Sequence, residues 1–155
     1  QIINSKIKFR EGFRPFAPAI LNNHVSDYFS PAVDSPYMLF TAEILPEHRN
    51  CLPPSIQGFD KLKHPVSVVP AITHIDYSAR LQTVAPDQHP QFYQLIEVFY
   101  QLTGCPMLVN TSFNVMDEPI VCSPEDALHC FQRSGLDVLV LENCIVSVKS
   151  CQTLL

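Results

Sequence analysis

The sequence is poor in glycine and in charged residues, and it lacks tryptophan and any long apolar run. It has four glycines in 155 residues, and they form neither a G-x-G-x-x-G nor a G-x-x-x-x-G-K-[ST] motif, which excludes a glycine-rich phosphate loop. No apolar stretch approaches the roughly 20 residues that cross a bilayer. We therefore expect a cytoplasmic protein without a membrane partner.

Cysteine and histidine are present, six of each, but their spacing is not that of metal ligands. There is no C-x-x-C pair, and most cysteines fall in apolar runs, which favours buried free thiols in a reducing compartment. We expect no metal site in this chain. Cys122 lies beside a polar loop, but nothing near it in sequence favours a nucleophile.

The basic residues are few and unevenly distributed on an acidic chain. The net charge is −5, and four of the ten lysines and arginines lie in the first fourteen positions, namely Lys6, Lys8, Arg10 and Arg14. Such a local positive patch fits a small anion better than a long polyanion, although a solvated basic face explains it equally well. Because the chain begins at Gln1, we expect a fragment of a longer protein.

Periodicity predicts strands interleaved with helices, which is typical of an α/β fold, with α+β as the alternative. One helix follows His89 and ends at Gly104, and another follows Ser123 and ends at Gly135. Extended segments are predicted over 2–20, 37–45, 66–75, 107–109, 138–141 and 145–148.

Prolines constrain the first extended segment. Period-two alternation predicts a half-buried strand or extended arm, and Pro15 and Pro18 exclude a regular helix or a central strand there.

Two stretches carry most of the polar side chains that could form a site. In the first, a strand runs into the polar loop Asn110–Asn114 and then into a helix start at Ser123, an arrangement that can bind an anion. A well-made turn explains the same residues. In the second, His74, Asp76, Arg80 and Gln82 occupy alternate positions, so an extended chain would place them on one face.

Three sequence blocks resemble one known family when they are taken in this order. They are KFREGFRPFAP at 8–18, THID with ARLQTV at 73–84, and NTSFN with EPIV at 110–121. Together they resemble the C-terminal region of the NodU/CmcH-type O-carbamoyltransferases, over roughly residues 3–148. Two features depart from the family: its Gly-Pro-Arg-Ala-Leu-Gly segment is absent, and Tyr77 stands where many members have glycine.

The resemblance implies that residues 1–155 are a C-terminal carbamoyltransferase domain, truncated at its N-terminus, with a YrdC-like twisted mixed sheet and flanking helices. It implies binding of carbamoyl phosphate and ATP, with Mg²⁺ as the counter-ion of ATP, and formation of carbamoyl-adenylate. An N-terminal actin-like domain, which would hold the metal site, would then pass the carbamoyl group to a substrate hydroxyl. Such a fragment alone would have little or no activity.

The family's site residues map onto matching positions of this sequence. Arg80 and Ser112 correspond to catalytic positions. The same two residues also belong to the set implied to bind carbamoyl phosphate and ATP, which is Arg10, Arg14, Arg80, Ser112, Asn114, His74 and Lys8.

Two other functions remain open from the sequence. A YrdC-like fold could instead bind RNA through the basic N-terminal segment, with Tyr77 or Phe113 stacking on bases, although the acidic total argues against nucleic acid. The second open possibility is a purely structural fragment that binds no nucleotide.

Overall fold

The structure described here is a computed structural model that covers residues 3–9 and 11–148. The chain forms two compact units, which we call the central unit (Pro15–Thr111) and the terminal unit (Gln1–Arg14 with Ser112–Leu155). Arg10, one of the predicted anion-binding residues, lies outside the described residues.

The described residues contain eight strands and three α-helices. The strands are β1 (Ala17–Leu21), β2 (Phe29–Ser30), β3 (Thr41–Ile44), β4 (Ser78–Arg80), β5 (Gln82–Val84), β6 (Met107–Asn110), β7 (Val138–Leu141) and β8 (Cys144–Ser147). The helices are α1 (Val25–Tyr28), α2 (Pro90–Thr103) and α3 (Pro124–Ser134). Helices combined with mixed strand pairing confirm the α/β prediction; a YrdC-like fold stays a prediction.

Strand β1 is the middle of the central unit's first sheet, which has the order β5-β1-β6. It pairs in parallel with β5 and antiparallel with β6. The exclusion of a central strand by Pro18 was therefore wrong. Pro18 precedes the first β1–β5 pair, Ala19 with Gln82, so a missing N–H at this position is tolerated at the start of that ladder.

Helix α2 packs on this sheet and confirms the sequence prediction. Ile96 is fully buried with Leu21 and Val84, and Gly104 ends the helix in the left-handed conformation that glycine adopts without steric cost. A second sheet of the central unit has the order β2-β3-β4.

Two predicted extended segments have other conformations. Residues Ile3–Ile7 form a π-helical turn, in which the backbone bonds locally and does not form the predicted strand or extended arm. Residues 66–75 contain no strand; only Ser67 bridges to Arg49, because Pro65 and Pro70 interrupt a run whose β-rich composition suggested a ladder.

The terminal unit is built on helix α3 and the hairpin β7–β8, both as predicted. Ser123 accepts a hydrogen bond from the Asp126 backbone N–H, and Asp126 returns the bond in a capping box. Ala127 and Phe131 of the helix pack on Leu139 of the hairpin, and Phe113 packs against this core. This burial fixes the chain directly after Ser112.

The cysteines differ from the prediction of buried thiols. The five described cysteines are free, but only Cys130 is buried, whereas Cys51, Cys122 and Cys144 are exposed. Apolar neighbours in sequence failed as a guide because loops and the last hairpin carry these positions. No helix among the described residues combines the length and apolarity needed to span a membrane.

Candidate functional site

The terminal unit brings Lys8 against the polar loop at Ser112–Asn114. The Lys8 side chain is 8% exposed, and its ammonium donates to Asn114 Oδ1 at 2.8 Å, to the Asn114 carbonyl at 3.0 Å and to Ser112 Oγ at 3.1 Å. It also contacts the Ser112 carbonyl oxygen. A cation separated from the loop by about a hundred residues of sequence thus organises the loop's oxygens.

Asn114 holds the centre of this cluster. Its Oδ1 accepts the Ser112 hydroxyl at 2.7 Å besides the Lys8 ammonium. Its Nδ2 donates to the Glu118 carbonyl at 2.9 Å. The Ser112 side chain is exposed at the edge of the cluster, while Asn114 is half-buried. Three of the residues proposed from sequence, Lys8, Ser112 and Asn114, therefore form one network.

Contacts behind the loop hold it to helix α3. The Glu118 carboxylate forms an ion pair with Arg133, in the last turn of the helix. Cys130, on the same helix, lies close enough to Lys8 for the positive charge to act on it. Burial raises the pKa of the Cys130 thiol and the Lys8 charge opposes that rise. Cys130 is therefore held as a neutral thiol and is a poor nucleophile.

The N-terminus of helix α3 already holds a carboxylate of its own. The backbone N–H groups of Cys122 and Ser123 donate to Asp126 Oδ2 at 3.2 and 3.0 Å. These bonds, first the one from Cys122 and then the side-chain bond with Ser123, lower the pKa of Asp126. The predicted use of this helix start as an anion site is therefore not supported, because the protein's own anion occupies it.

The second predicted stretch does not present its polar residues on one face. Tyr77 has φ +66°, and the Tyr77 N–H donates to the His74 carbonyl at 2.9 Å, so the chain turns before β4. Strands β4 and β5 then join different sheets. Because alternation requires one continuous strand, the prediction that His74, Asp76, Arg80 and Gln82 share a face was wrong.

Each of these residues has its own surroundings in the central unit. Asp76 accepts from the Ser78 N–H at 3.0 Å and from the Ser78 hydroxyl at 2.7 Å, which lowers the pKa of its carboxyl. His74 and Arg80 are exposed, and Arg80 lies opposite Thr41 on β3. Asp76 thus forms a local turn with Ser78.

Gln82, from the second predicted stretch, contacts Asn110 from the first, a pairing that the sequence did not predict. Its Oε1 accepts a hydrogen bond from Asn110 Nδ2, across β1. The carbonyl of the buried Ser35 accepts a hydrogen bond from the Thr83 N–H. The Ser35 hydroxyl donates to the Leu81 carbonyl at 3.0 Å. The pairing of β1 with both β5 and β6 brings Gln82 and Asn110 together. The residues next to them in sequence therefore could not predict this contact.

The predicted site residues that the structure describes are divided between the two units. Lys8, Ser112 and Asn114 form one network in the terminal unit, where Arg14 is also described with an exposed side chain. His74 and Arg80 belong to the central unit. The assignment of these residues to a ligand stays a prediction.

Comparison with known proteins identifies relatives along nearly the whole chain. A family model described as "Carbamoyltransferase C-terminus" matches residues 1–148. The chain is 53% identical over 149 residues to an uncharacterized protein of Synechocystis, covering 94% of this chain and 24% of that protein. It is 34% identical over 151 residues to the nodulation protein NolNO of Sinorhizobium fredii, covering 96% of this chain and 20% of NolNO.

Other nodulation proteins match a shorter part of the chain. Nodulation protein U of Rhizobium tropici is 39% identical over 111 residues, which is 72% of this chain and 16% of that protein. The chain thus spans about a quarter or less of the length of the relatives described here.

Proposed function

The chain belongs to the family of carbamoyltransferase C-termini, and we propose that it binds carbamoyl phosphate and ATP and forms carbamoyl-adenylate. The observation that carries the proposal is the Lys8–Ser112–Asn114 network, which joins the first and third of the sequence blocks that resemble the family. Family membership makes the chain a carbamoyltransferase domain; the adenylate chemistry is the proposal.

Charge supports two anionic substrates at this domain. Carbamoyl phosphate and ATP repel one another, and reaction at the α-phosphorus of ATP requires that repulsion to be neutralised. Arg10, Arg14 and Arg80 would supply guanidinium groups that match phosphate oxygens in pairs of hydrogen bonds. Lys8, Ser112, Asn114 and His74 would complete the binding set, and Mg²⁺ would accompany ATP.

The atoms balance if water takes part. Carbamoyl phosphate first loses inorganic phosphate to water, giving carbamate, and a carbamate oxygen then attacks the α-phosphorus of ATP. The bond from that phosphorus to the β-phosphate oxygen breaks, and pyrophosphate leaves. No side chain of this domain has to become a covalent nucleophile, which agrees with the neutral thiol of Cys130.

We further propose that an N-terminal actin-like domain receives the carbamoyl group and transfers it to a substrate hydroxyl. The length of the relatives beyond the matched part supports a second domain. The metal site would lie in that domain. The RNA-binding alternative is weakened, because Lys8 is buried against the loop and Phe113 packs in the core.

The test is carbamoyl-phosphate-dependent exchange of pyrophosphate into ATP, measured with the complete protein. We expect Arg80→Ala to lower the exchange rate about a hundredfold or more, and Ser112→Ala to lower it roughly tenfold. Exposed positions outside the network, Lys63→Ala and Ser55→Ala, are the matched controls and should retain the wild-type rate. Unchanged exchange in both site variants would contradict the site assignment.

A further inference from the structure

The orientation of the Asn114 carboxamide is fixed by the chemistry of its partners. The Lys8 ammonium can only donate, so the atom 2.8 Å from it must be Oδ1. The Glu118 carbonyl can only accept, so the atom 2.9 Å from it must be Nδ2. The two assignments agree, and they leave one possible orientation for the amide.

This orientation fixes the direction of the Ser112 hydroxyl proton as well. Ser112 Oγ lies 2.7 Å from Asn114 Oδ1, an atom that cannot donate, so the hydroxyl must donate to it. The Lys8 ammonium meanwhile donates to Ser112 Oγ at 3.1 Å. A hydroxyl oxygen has one proton and two lone pairs, so a lone pair is what Ser112 can offer at its exposed side.

A serine held in this state accepts hydrogen bonds and does not donate them to a ligand. Phosphate oxygens are acceptors, so they gain little from such a hydroxyl. The amino group of a carbamoyl moiety is a donor, and it is the group that distinguishes carbamoyl phosphate from an acyl phosphate. The preference of Ser112 is therefore for the nitrogen end of the substrate.

We propose that Ser112 accepts a hydrogen bond from the carbamoyl amino group and that Asn114 is the positioning residue that keeps Ser112 in this accepting state. The pair would determine specificity for carbamoyl phosphate over acyl phosphates of the same charge. The inference rests on the proposed function and refines the general binding role of both residues. Asn114 acts on the carbamoyl amino group through Ser112.

The test compares three ligands by calorimetry with the complete protein: carbamoyl phosphate, acetyl phosphate, which has a methyl in place of the amino group, and inorganic phosphate. We expect Ser112→Ala to weaken carbamoyl phosphate binding about three- to tenfold, and to leave the dissociation constants of the other two ligands unchanged. Asn114→Ala should produce the same selective loss, because the hydroxyl proton is then no longer directed away from the ligand.

The conservative variant and a matched control separate positioning from folding. Asn114→Asp keeps an oxygen acceptor for the Ser112 hydroxyl, so the ratio of acetyl to carbamoyl phosphate dissociation constants should stay near that of wild type, although all anions bind more weakly. Asn50→Ala removes an amide that donates to the Pro65 and Ser67 carbonyls. It should lower the melting temperature without changing the ratio.

Equal weakening of all three ligands by Ser112→Ala would overturn this inference, since the hydroxyl would then face the phosphate. In that case carbamoyl-phosphate-dependent exchange by the wild type would still support the proposed function. Wild-type protein that neither binds carbamoyl phosphate nor catalyses the exchange would overturn both.

Discussion

Two polar stretches looked alike in sequence and differ in structure. The loop at Ser112–Asn114 closes around the Lys8 ammonium, and each of its polar side chains bonds another. The stretch from His74 to Gln82 disperses its side chains along a turn and two strands of different sheets. A cluster of polar residues thus became a network in one case only.

The difference lies in what assembles each stretch. Short polar side chains in a loop bond at close range and need only one distant donor, here Lys8, to complete their arrangement. Alternate residues on a strand share a face only while the strand continues, and the left-handed residue Tyr77 interrupts it. A hydrogen-bonded polar loop can therefore be predicted from sequence more safely than a strand face shared by alternate residues.

The largest effect should come from removing the cation that closes the loop. Lys8→Met keeps the length of the side chain but leaves the oxygens of Ser112 and Asn114 without their ammonium donor, and we expect a loss of about 2–3 kcal/mol in unfolding free energy. His74→Ala, the counterpart in the dispersed stretch, removes an exposed side chain and should change it by less than about 0.5 kcal/mol. Urea denaturation followed by circular dichroism measures both, and similar losses would erase the contrast between the two stretches.

An intermediate effect is expected from acid. Asp126 and Asp76 each accept a backbone N–H, from Cys122 and Ser78 respectively, and each has a lowered pKa in the folded state. A lowered pKa stabilises the fold above the unfolded value of about 3.9 and stops doing so as the pH falls through the folded value.

The asparagine variants measure this contribution. Asp126→Asn and Asp76→Asn should be less stable than wild type near neutral pH, and their deficit should disappear as the pH falls below about 4. Thermal melting across that range is the measurement, with the exposed Asp87→Asn as control. A deficit that stays constant with pH would show that the carboxylate charge is not the stabilising feature.

The smallest effect should come from Tyr77. Its φ of +66° costs roughly 1 kcal/mol, which glycine would relieve. The gain is offset by the loss of the Arg49 guanidinium stacked 4.7 Å from the ring, about 0.5–1 kcal/mol, and by the freer unfolded chain.

Tyr77→Gly should therefore stay within about 1 kcal/mol of wild type, while Tyr77→Ala, which keeps the unfavourable backbone and loses the ring, should be less stable than the glycine variant. Thermal melting of the two variants decides the order, and a glycine variant below the alanine variant would contradict it.

Features that depend on neighbours along the chain could be predicted from the sequence. Helices α2 and α3, their ends at Gly104 and Gly135, and the capping box of Ser123 and Asp126 were readable because caps and periodicity are local. The family blocks were readable too, and the match over residues 1–148 confirmed them.

Features that depend on strand partners and distant donors became visible only in the folded chain. Pro18 became part of a central strand because of where the β5 ladder begins. Gln82 met Asn110 because both flank β1. Lys8 follows a π-helical turn where a half-buried strand or extended arm was predicted. It bonds with Ser112 and Asn114 because a buried ammonium requires oxygen partners. No periodicity or residue spacing along the chain predicts these contacts between distant residues.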